Sequence, residues 1–323
     1  MNQTSLSLPS FAKINWRLKI LGKRPDGYHE VSTLLQTISL HDDLHFEVSS
    51  DDAITISCND PEIPTDNHNL VVRAAHALQK HGKVEQGARI GLEKRIPTKA
   101  GLGGASSNAA VSLLALAHLW QVKPTACEVF DIAAKLGADV PFFLLGGCAS
   151  ATGTGTTLLP LVTEPETVPP HLIVITPNAA VSSAEAYAAL KSRALTTKNA
   201  NPILSVSQSE ANARHSHPWS GKDSLENDFE SVIFDIEPEI RRTKETLIQA
   251  GALGALLAGS GSSVFGIFAN SEDQQRAVNE IQLEAGWRIF PCVTVSRNEY
   301  LRAVGSWAIP FLRSFNSGFD IGA

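Results

Sequence analysis

A glycine-rich loop between a strand-like run and a helix-like run limits the folds open to this chain. The loop, residues 97–107, reads Pro-Thr-Lys-Ala-Gly-Leu-Gly-Gly-Ala-Ser-Ser; residues 88–96 precede it and residues 108–120 follow it. Its three glycines let another molecule approach the backbone closely. Free N–H groups and the positive end of the helix dipole gather where the helix begins, which favours phosphate. The pattern predicts a phosphate site, and a tight turn before a capped helix is the alternative.

Two common nucleotide-binding loops do not fit this pattern. A Walker A loop needs Ser or Thr after its Gly-Lys pair, but neither follows the Gly-Lys pairs that begin at Gly22, Gly82 and Gly221. A dinucleotide-binding fingerprint would place a third glycine where Ser106 stands. Ser106 and Ser107 instead supply hydroxyls that can cap the helix, bind phosphate oxygens or ligate a metal. The loop therefore predicts a nucleotide without identifying the fold.

Composition and charge narrow the class of protein. The chain has 323 residues, enough for two domains, and a formal net charge of -6, which argues against a broad nucleic-acid-binding surface. No apolar run is long enough to span a membrane, and the N-terminus lacks the pattern of a signal peptide. Four well-separated cysteines predict reduced thiols and a cytoplasmic location, with neither disulfides nor a zinc site. They are Cys58, Cys127, Cys148 and Cys292.

Two charged residues could carry chemistry, although each also has an ordinary structural explanation. Lys13 and Asn15 lie on the polar face of an alternating, strand-like run over residues 12–20. On that pattern alone, a solvent-facing strand is the simpler interpretation. Asp139 follows a predicted helix and precedes a proline, which suits a turn-forming aspartate. A carboxylate could also act as a base toward an alcohol, and an adjacent lysine would keep it ionised.

Strand-like and helix-like runs are mixed along the chain without strict alternation, which predicts an α+β fold. Helical patterns cover residues 70–80, 109–120, 126–136, 239–250 and 274–285. Strand patterns cover residues 12–20, 31–40, 43–49, 88–96, 142–145, 172–175 and 289–295. The helix at 109–120 is apolar nearly all round and should be buried. Residues 160–170 predict a linker, and the polar stretch 191–223, which contains His215 and His217, predicts a long surface loop.

Five ordered motifs together resemble those of the GHMP kinases, the superfamily of galactose, homoserine, mevalonate and phosphomevalonate kinases. Residues 97–110 resemble the family's phosphate loop, and residues 256–268 resemble its C-terminal glycine-rich motif. The remaining motifs are residues 12–15 with 24–29, residues 69–74 and residues 137–141. The resemblance implies two α+β domains around a cleft. It places a ribosomal-S5-domain-2-like, ATP-binding domain at residues 1–160 and a ferredoxin-like, substrate-side domain at residues 161–323.

The same resemblance implies which residues act in catalysis and which bind the nucleotide. It also implies ATP as co-substrate and Mg²⁺ as cofactor. Asp139 matches the catalytic aspartate that takes or orients the proton of the substrate hydroxyl. Lys13 matches the lysine beside that aspartate, and Asn69 would lie near the adenine. No protein ligand for the metal is assigned. The triphosphate would bind to the loop residues Pro97, Thr98, Lys99, Ala100, Gly101, Leu102, Gly103, Gly104, Ala105, Ser106 and Ser107.

The N-terminal motifs resemble one branch of the family more narrowly. That branch phosphorylates the 2-hydroxyl of a small molecule, cytidine diphosphate methylerythritol, in the non-mevalonate isoprenoid pathway. The resemblance implies that Asn15 holds this substrate and that His29 recognises its base. It also implies that Tyr28 and Tyr187 stack on the cytosine. No nucleic acid, membrane or obligate protein partner is expected.

Two other functions remain as alternatives. A mevalonate or homoserine kinase is the nearer one, but the Asp-Gly-Tyr-His run at residues 26–29 argues against it, because those substrates carry no base to stack. A non-catalytic sensor with the same fold should have lost Lys13 or Asp139, and both are present.

The chain also departs from the family pattern. Lys99 stands where smaller residues are common, and it could contact phosphate or face solvent. The tail after residue 304 has no counterpart and could cover an apolar patch or mediate self-association. Its aromatic residues are Trp307, Phe311, Phe315 and Phe319.

Overall fold

The computed structural model describes residues 3–161, 170–196 and 225–305. The strands of the first part are β1 (Ser5–Lys23), β2 (His29–Ser49), β3 (Ile54–Cys58), β4 (Gly87–Glu93), β5 (Cys148–Thr152) and β6 (Thr157–Leu161). Its helices are α1 (Leu70–Gly82), α2 (Gly104–Leu119), α3 (Ala126–Leu136) and α4 (Val140–Leu145). The second part contains β7 (His171–Thr176), α5 (Ser183–Thr196), β8 (Glu226–Asn227), α6 (Glu230–Ile236), α7 (Pro238–Gln249), β9 (Gly254–Leu257), β10 (Val264–Phe268), α8 (Ser271–Glu280), β11 (Arg288–Val293) and α9 (Arg297–Val304).

The antiparallel pair of β1 and β2 is the centre of the first sheet. Its strand order is β3-β4-β2-β1-β8, and β5 pairs with both β2 and β6. Helix α2 lies within the core of this domain, where it contacts β1, α1 and α4. Twelve of its 16 residues are buried, as its apolar surface on all sides predicts. The start of α2, where the glycine loop ends, is therefore fixed by the core.

The second sheet is antiparallel, with the order β11-β7-β10-β9. Along the chain, helices α5 to α7 connect β7 to β9, a short turn joins β9 to β10, and α8 connects β10 to β11. This β-α-β-β-α-β arrangement is ferredoxin-like. The described residues thus confirm the predicted α+β fold with two domains.

Strand β1 is covered on both faces. Ile14 and Trp16 are fully buried against the second sheet, and the Trp16 ring meets Phe265 edge to face with ring centroids 5.7 Å apart. On the opposite face, Lys13 and Asn15 are only 4% and 3% exposed. The interpretation of this polar face as solvated is wrong for these two residues.

The last described helix returns to the first domain. Helix α9 packs in the hydrophobic core of the first domain through Tyr300, Leu301 and Val304. The Tyr300 hydroxyl donates to the carbonyl of Phe143. The domain boundary after residue 160 stays a prediction. The linker predicted at 160–170 overlaps the end of β6 at residues 160–161, and its residues 162–169 lie outside the described residues. The surface loop predicted at 191–223 is wrong for residues 191–196, which belong to α5. The rest of that stretch, including both histidines, and the aromatic tail lie outside the described residues.

The main error in the predicted elements concerns residues 142–145, which we expected to form a strand and which belong to α4. All six residues of α4 are buried, so the run has no periodicity from which helix and strand could be distinguished. Pro141 suits the first turn of a helix, where its missing N–H has no intrahelical partner. The strands expected at 31–40 and 43–49 form one strand, β2, whose pairing register shifts near residues 38–41.

The four cysteines are free thiols, as predicted. Burial raises the pKa of Cys148 and of Cys292 to about 12. In the described ranges, the helices are all too short or too polar to cross a membrane.

Candidate active site

A cleft of about 680 Å³ lies between the two domains. Its walls are the glycine loop at 97–106, the Lys13 side of β1, the start of α5, and Ser260 and Gly261 of a second glycine loop at 259–263. Asp139 and Tyr187 also line it. The structure thus brings most of the predicted site residues into one cavity.

The glycine loop presents the N-terminus of α2 to this cleft. Gly103 is the N-cap residue, with a φ of 72°, and no side chain caps the helix. Because the N–H of Ser107 is the first to bond within the helix, to the carbonyl of Gly103, the N–H groups before it have no intrahelical acceptor. The positive end of a 16-residue helix therefore faces the cleft, which suits an anionic ligand.

The two glycine loops touch at the base of the cleft. A β-carbon at Gly101 would lie 1.9 Å from the carbonyl oxygen of Ala258, and one at Gly259 would lie 2.9 Å from the Gly101 oxygen. The N–H of Ser263 donates to the carbonyl of Ala100 (3.2 Å), which joins the loops directly. Only residues without side chains fit here, so the glycines set the contact between the domains.

Lys13 and Asp139 meet at the side of the cleft. The Nζ atom of Lys13 lies 3.8 Å from Oδ2 of Asp139, whose side chain is 42% exposed. Asp139 occupies the N-cap position of α4 but makes no capping hydrogen bond. The turn-forming interpretation therefore leaves its carboxylate unexplained, whereas an ammonium beside a half-exposed carboxylate can activate an alcohol.

A chain of hydrogen bonds fixes the direction of the Lys13 ammonium. Lys13 Nζ donates to Asn15 Oδ1 (2.8 Å), and Asn15 Nδ2 donates to the hydroxyl of Thr33 (2.8 Å). That hydroxyl in turn donates to the carbonyl of Arg17 (2.7 Å). Since the Thr33 proton is already engaged, its oxygen must accept from Asn15, which keeps the amide oxygen toward Lys13.

The predicted nucleotide-loop residues fall into two groups. Pro97, Ala100, Leu102 and Gly104 are buried, so they support the loop, whereas Thr98, Lys99 and Ala105 are exposed. Ser106 lines the cleft. Ser107 points away from it, because its buried hydroxyl accepts a hydrogen bond from Ser10 (2.7 Å). Asn69 lines the cleft as the N-cap of α1, where its side chain accepts from the N–H of Val71.

The aromatic residues are arranged differently from the expected pair of tyrosines. His29 stacks on Tyr187, with ring centroids 4.4 Å apart and an interplanar angle of 18°. Phe229 also meets Tyr187, edge to face, with ring centroids 4.9 Å apart. Burial raises the pKa of Tyr187, and the negative charge of Asp139 adds to that effect. Tyr28 lies on the turn between β1 and β2, with 67% of its surface exposed.

Three polar residues at the site were not found from the sequence. Thr33 orients Asn15, as described above. Asp42, buried in β2, accepts from the N–H groups of Arg95 and Ile96, just before the first glycine loop. Asn227, buried in β8, donates through Nδ2 to the carbonyls of Leu257 and Gly259 at the second loop. Each is a single polar residue in a strand, and no local pattern distinguishes such residues from solvent-facing ones.

Models of known protein families match residues in both domains. Residues 69–147 match the model described as "GHMP kinases N terminal domain", and residues 209–285 match "GHMP kinases C terminal". A 4-diphosphocytidyl-2-C-methyl-D-erythritol kinase from Chlorobium chlorochromatii (strain CaD3) is 40% identical over 284 residues, which cover 87% of this chain and 95% of that relative. The kinase of the same name from Pelotomaculum thermopropionicum is 41% identical over 270 residues, covering 82% and 90%.

Solved structures show the same relationship. A crystal structure of 4-(cytidine 5'-diphospho)-2C-methyl-D-erythritol kinase superposes with a TM-score of 0.71 at 33% identity, covering 90% of this chain and 99% of that one. A mevalonate kinase from L. major superposes with a TM-score of 0.65 at 16% identity, covering 92% and 99%. The second comparison shows a shared fold alone.

Proposed function

Because the chain belongs to the 4-diphosphocytidyl-2-C-methyl-D-erythritol kinases, a branch of the GHMP kinases, we propose that it transfers the γ-phosphoryl group of ATP to the 2-hydroxyl of 4-(cytidine 5'-diphospho)-2-C-methyl-D-erythritol. One observation carries the proposal: Lys13 and Asp139 face each other, 3.8 Å apart, in the cleft that receives the N-terminus of α2. Phosphoryl transfer depends mainly on positioning and charge stabilisation, and this cleft provides both.

At the alcohol end, the Asp139 carboxylate accepts or orients the proton of the attacking hydroxyl. Lys13 stabilises that carboxylate as an anion and offsets negative charge that develops on the transferred group. The ammonium is held by Asn15 at 2.8 Å, so it is positioned before the substrate arrives. These groups keep the reacting oxygen aligned without forming a covalent intermediate.

At the nucleotide end, the N–H groups of the glycine loop and of the first turn of α2 bind the phosphates. Asn69 borders the space for the adenine. Mg²⁺ accompanies ATP, and when bound it neutralises charge on the phosphate oxygens. Within the described residues, no group of three or more His, Cys, Asp or Glu side chains could hold a metal. Mg²⁺ usually binds through few protein groups plus substrate phosphates, so the Ser106 hydroxyl at the helix start fits a metal that enters with ATP.

At the base end, the rings of His29 and Tyr187 already stack on each other, so the cytosine would extend this aromatic stack and take hydrogen bonds from the His29 ring nitrogens. The exposed Tyr28 would cover the base from the turn between β1 and β2. The four free thiols support a cytoplasmic enzyme. The proposal requires no obligate protein partner.

Replacing Tyr28 with alanine is expected to weaken binding of the cytidylylated substrate by about 1–3 kcal/mol, the range for one base–aromatic stack. The loss should appear as a raised KM for that substrate, while the KM for ATP stays near the wild-type value. Tyr28→Phe is the matched control, because it keeps the π face and loses only the hydroxyl. Equal damage to both KM values would show that Tyr28 supports the fold instead.

Replacing Thr33 with valine is expected to lower kcat about tenfold, the effect of losing one buried hydrogen bond. Valine has a similar shape but no hydroxyl, so the Asn15 amide can turn its NH₂ group toward the Lys13 ammonium. Thr33→Ser keeps the hydroxyl and should retain most of the activity. Steady-state kinetics with saturating ATP measure both variants, and equal kcat values for valine and serine would contradict the role of the hydroxyl.

A coupled assay of ADP release tests the whole proposal. The full chain is incubated with MgATP and, separately, the cytidylylated methylerythritol, mevalonate or homoserine. We expect turnover with the first substrate only. Turnover with mevalonate or homoserine alone would contradict the proposed substrate, and ATP binding without any turnover would favour a ligand sensor.

A further inference from the structure

The loop that receives the nucleotide is held at both ends by one buried side chain. We propose that Asp42 is a positioning residue for ATP: its carboxylate ties the chain just before residue 97 to the first turns of α2, and so fixes the loop before ATP binds. This inference rests on the proposed function, because it takes the glycine loop to be the ATP site. Asp42 itself touches no substrate.

The first end of the loop is held through the backbone. Asp42 lies on β2 and has no exposed surface. Its Oδ1 atom accepts from the N–H of Arg95 and from the N–H of Ile96, each at 2.7 Å. These two residues come directly before Pro97, where the loop begins. The carboxylate therefore determines where the chain leaves β4 and enters the loop.

The second end is held through α2. The Oδ2 atom of Asp42 accepts from the side-chain amide of Asn108 at 3.0 Å. Ser10 is the residue paired with Asp42 across the sheet, and its hydroxyl donates to Ser107 at 2.7 Å. Two neighbours on the sheet thus hold two consecutive residues of α2. Only the loop itself, residues 97–106, lies between the two anchored segments.

A buried carboxylate so near a phosphate site needs compensation, and Lys94 provides it. The Lys94 ammonium lies 3.0 Å from Oδ2 of Asp42 and also donates to the carbonyl of Ile96. Burial lowers the pKa of Lys94, and the charge of Asp42 opposes that change. The same ammonium lies 3.3 Å from the position of a β-carbon on Gly104, the first residue of α2. The pair therefore adds no net charge beside the loop.

Four donors from two segments, residues 94–96 and the first turns of α2, converge on this one carboxylate. A loop that is fixed in its binding conformation loses less entropy when the ligand binds. Without Asp42, the loop would have to be ordered by ATP itself. Loss of Asp42 should therefore lower the affinity for ATP. Lys13 on β1 and Asp139 at the start of α4, which act on the alcohol, should keep their geometry.

The test compares Asp42→Asn with its neighbour Asp43→Asn. The asparagine keeps the shape and one acceptor for the backbone N–H groups, but it turns a donor toward Asn108 and Lys94. Asp43 lies on the exposed side of the same strand, where it pairs with Arg95 at 2.9 Å, so it serves as the matched control. Isothermal titration of the full chain with MgATP measures the dissociation constant. Hydrogen exchange of the ligand-free protein measures the protection of amides 97–108.

We expect Asp42→Asn to weaken ATP binding roughly 10- to 100-fold, as for the loss of one charge-assisted hydrogen bond, and to speed exchange in the loop. Asp43→Asn should change the ATP dissociation constant less than twofold. The KM for the alcohol substrate should stay within about threefold of wild type in both variants. The double variant Asp42→Asn/Asn108→Asp reverses the donor and acceptor of the α2 link and should regain most of the lost affinity.

Three results would overturn the inference: unchanged ATP affinity in Asp42→Asn, equal loss in Asp43→Asn, or lower thermal stability with no faster loop exchange. If Asp42→Asn does not fold, Asn108→Ala removes the α2 link alone, and its ATP affinity decides the question in the same way. Failure of the wild-type chain to bind MgATP would contradict the proposed function, which is a separate outcome. The wild-type titration therefore distinguishes the two failures.

Discussion

Asp139→Asn is expected to lower kcat by about 10² to 10⁴-fold, the range for removing a general base. Asparagine has the same shape, but it cannot accept the hydroxyl proton or carry the charge that faces Lys13 at 3.8 Å. Because the carboxylate makes no capping hydrogen bond in α4, its loss should leave the melting temperature nearly unchanged. Steady-state kinetics and a titration with MgATP measure the effect, and ATP should bind as tightly as it does to the wild type.

Two further variants give a control for that result and a test of the partner residue. Asp131→Asn changes an exposed carboxylate on α3 and should leave kcat within about twofold of wild type. Lys13→Ala should lower kcat over the same range as Asp139→Asn, because the two groups act on one oxygen. Near-wild-type kcat in either active-site variant would show that its assigned role is wrong.

Gly101→Ala is expected to destabilise the folded protein by at least about 3 kcal/mol and to abolish ATP binding, since backbone collisions are among the costliest substitutions. Its β-carbon would lie 1.9 Å from the Ala258 carbonyl oxygen, and the buried backbone at Ala258, directly after β9, cannot move aside as a side-chain end can. The φ of 76° adds strain for any residue with a β-carbon. Chemical denaturation and MgATP titration provide the two measurements.

Gly251→Ala separates the two causes of that loss. Gly251 also has a positive φ, 93°, but a β-carbon there would meet no atom within 4 Å. Only the backbone strain remains, so we expect a loss of about 1 to 2 kcal/mol. If the two alanine variants were equally stable, the contact between the glycine loops would not be as close as described.

The glycine loop, the helix after it and the α+β class follow from the sequence because each depends on local pattern. Burial of Lys13 does not, since its strand alternates like one that faces solvent. The second sheet, built from residues more than 150 positions away, covers one face of β1, and Asp139 approaches the other. Such facts depend on packing between distant segments.

Asp42 and Asp43 illustrate the same limit. Adjacent aspartates between two runs of strand pattern resemble a pair of solvated charges. In the structure, however, Asp42 is fully buried with four donors, whereas the Asp43 side chain is 42% exposed. Which of them points inward depends on the pairing register of β2 and on the position of α2. Residues 142–145 differ for another reason: an entirely apolar run has no period, so its helical structure depends on the core around it.

Strand β1 has a mechanical consequence for the catalytic cycle. Its Ile14 and Trp16 belong to a dry core shared with the second sheet, and its Lys13 belongs to the cleft. Domains hinge freely when their interface is small and polar, but this interface contains a fully buried tryptophan. Opening the cleft by rigid rotation would expose that core. We therefore expect nucleotide to enter and leave by local movement at the rim of the cleft, while the two domains stay together as one rigid body.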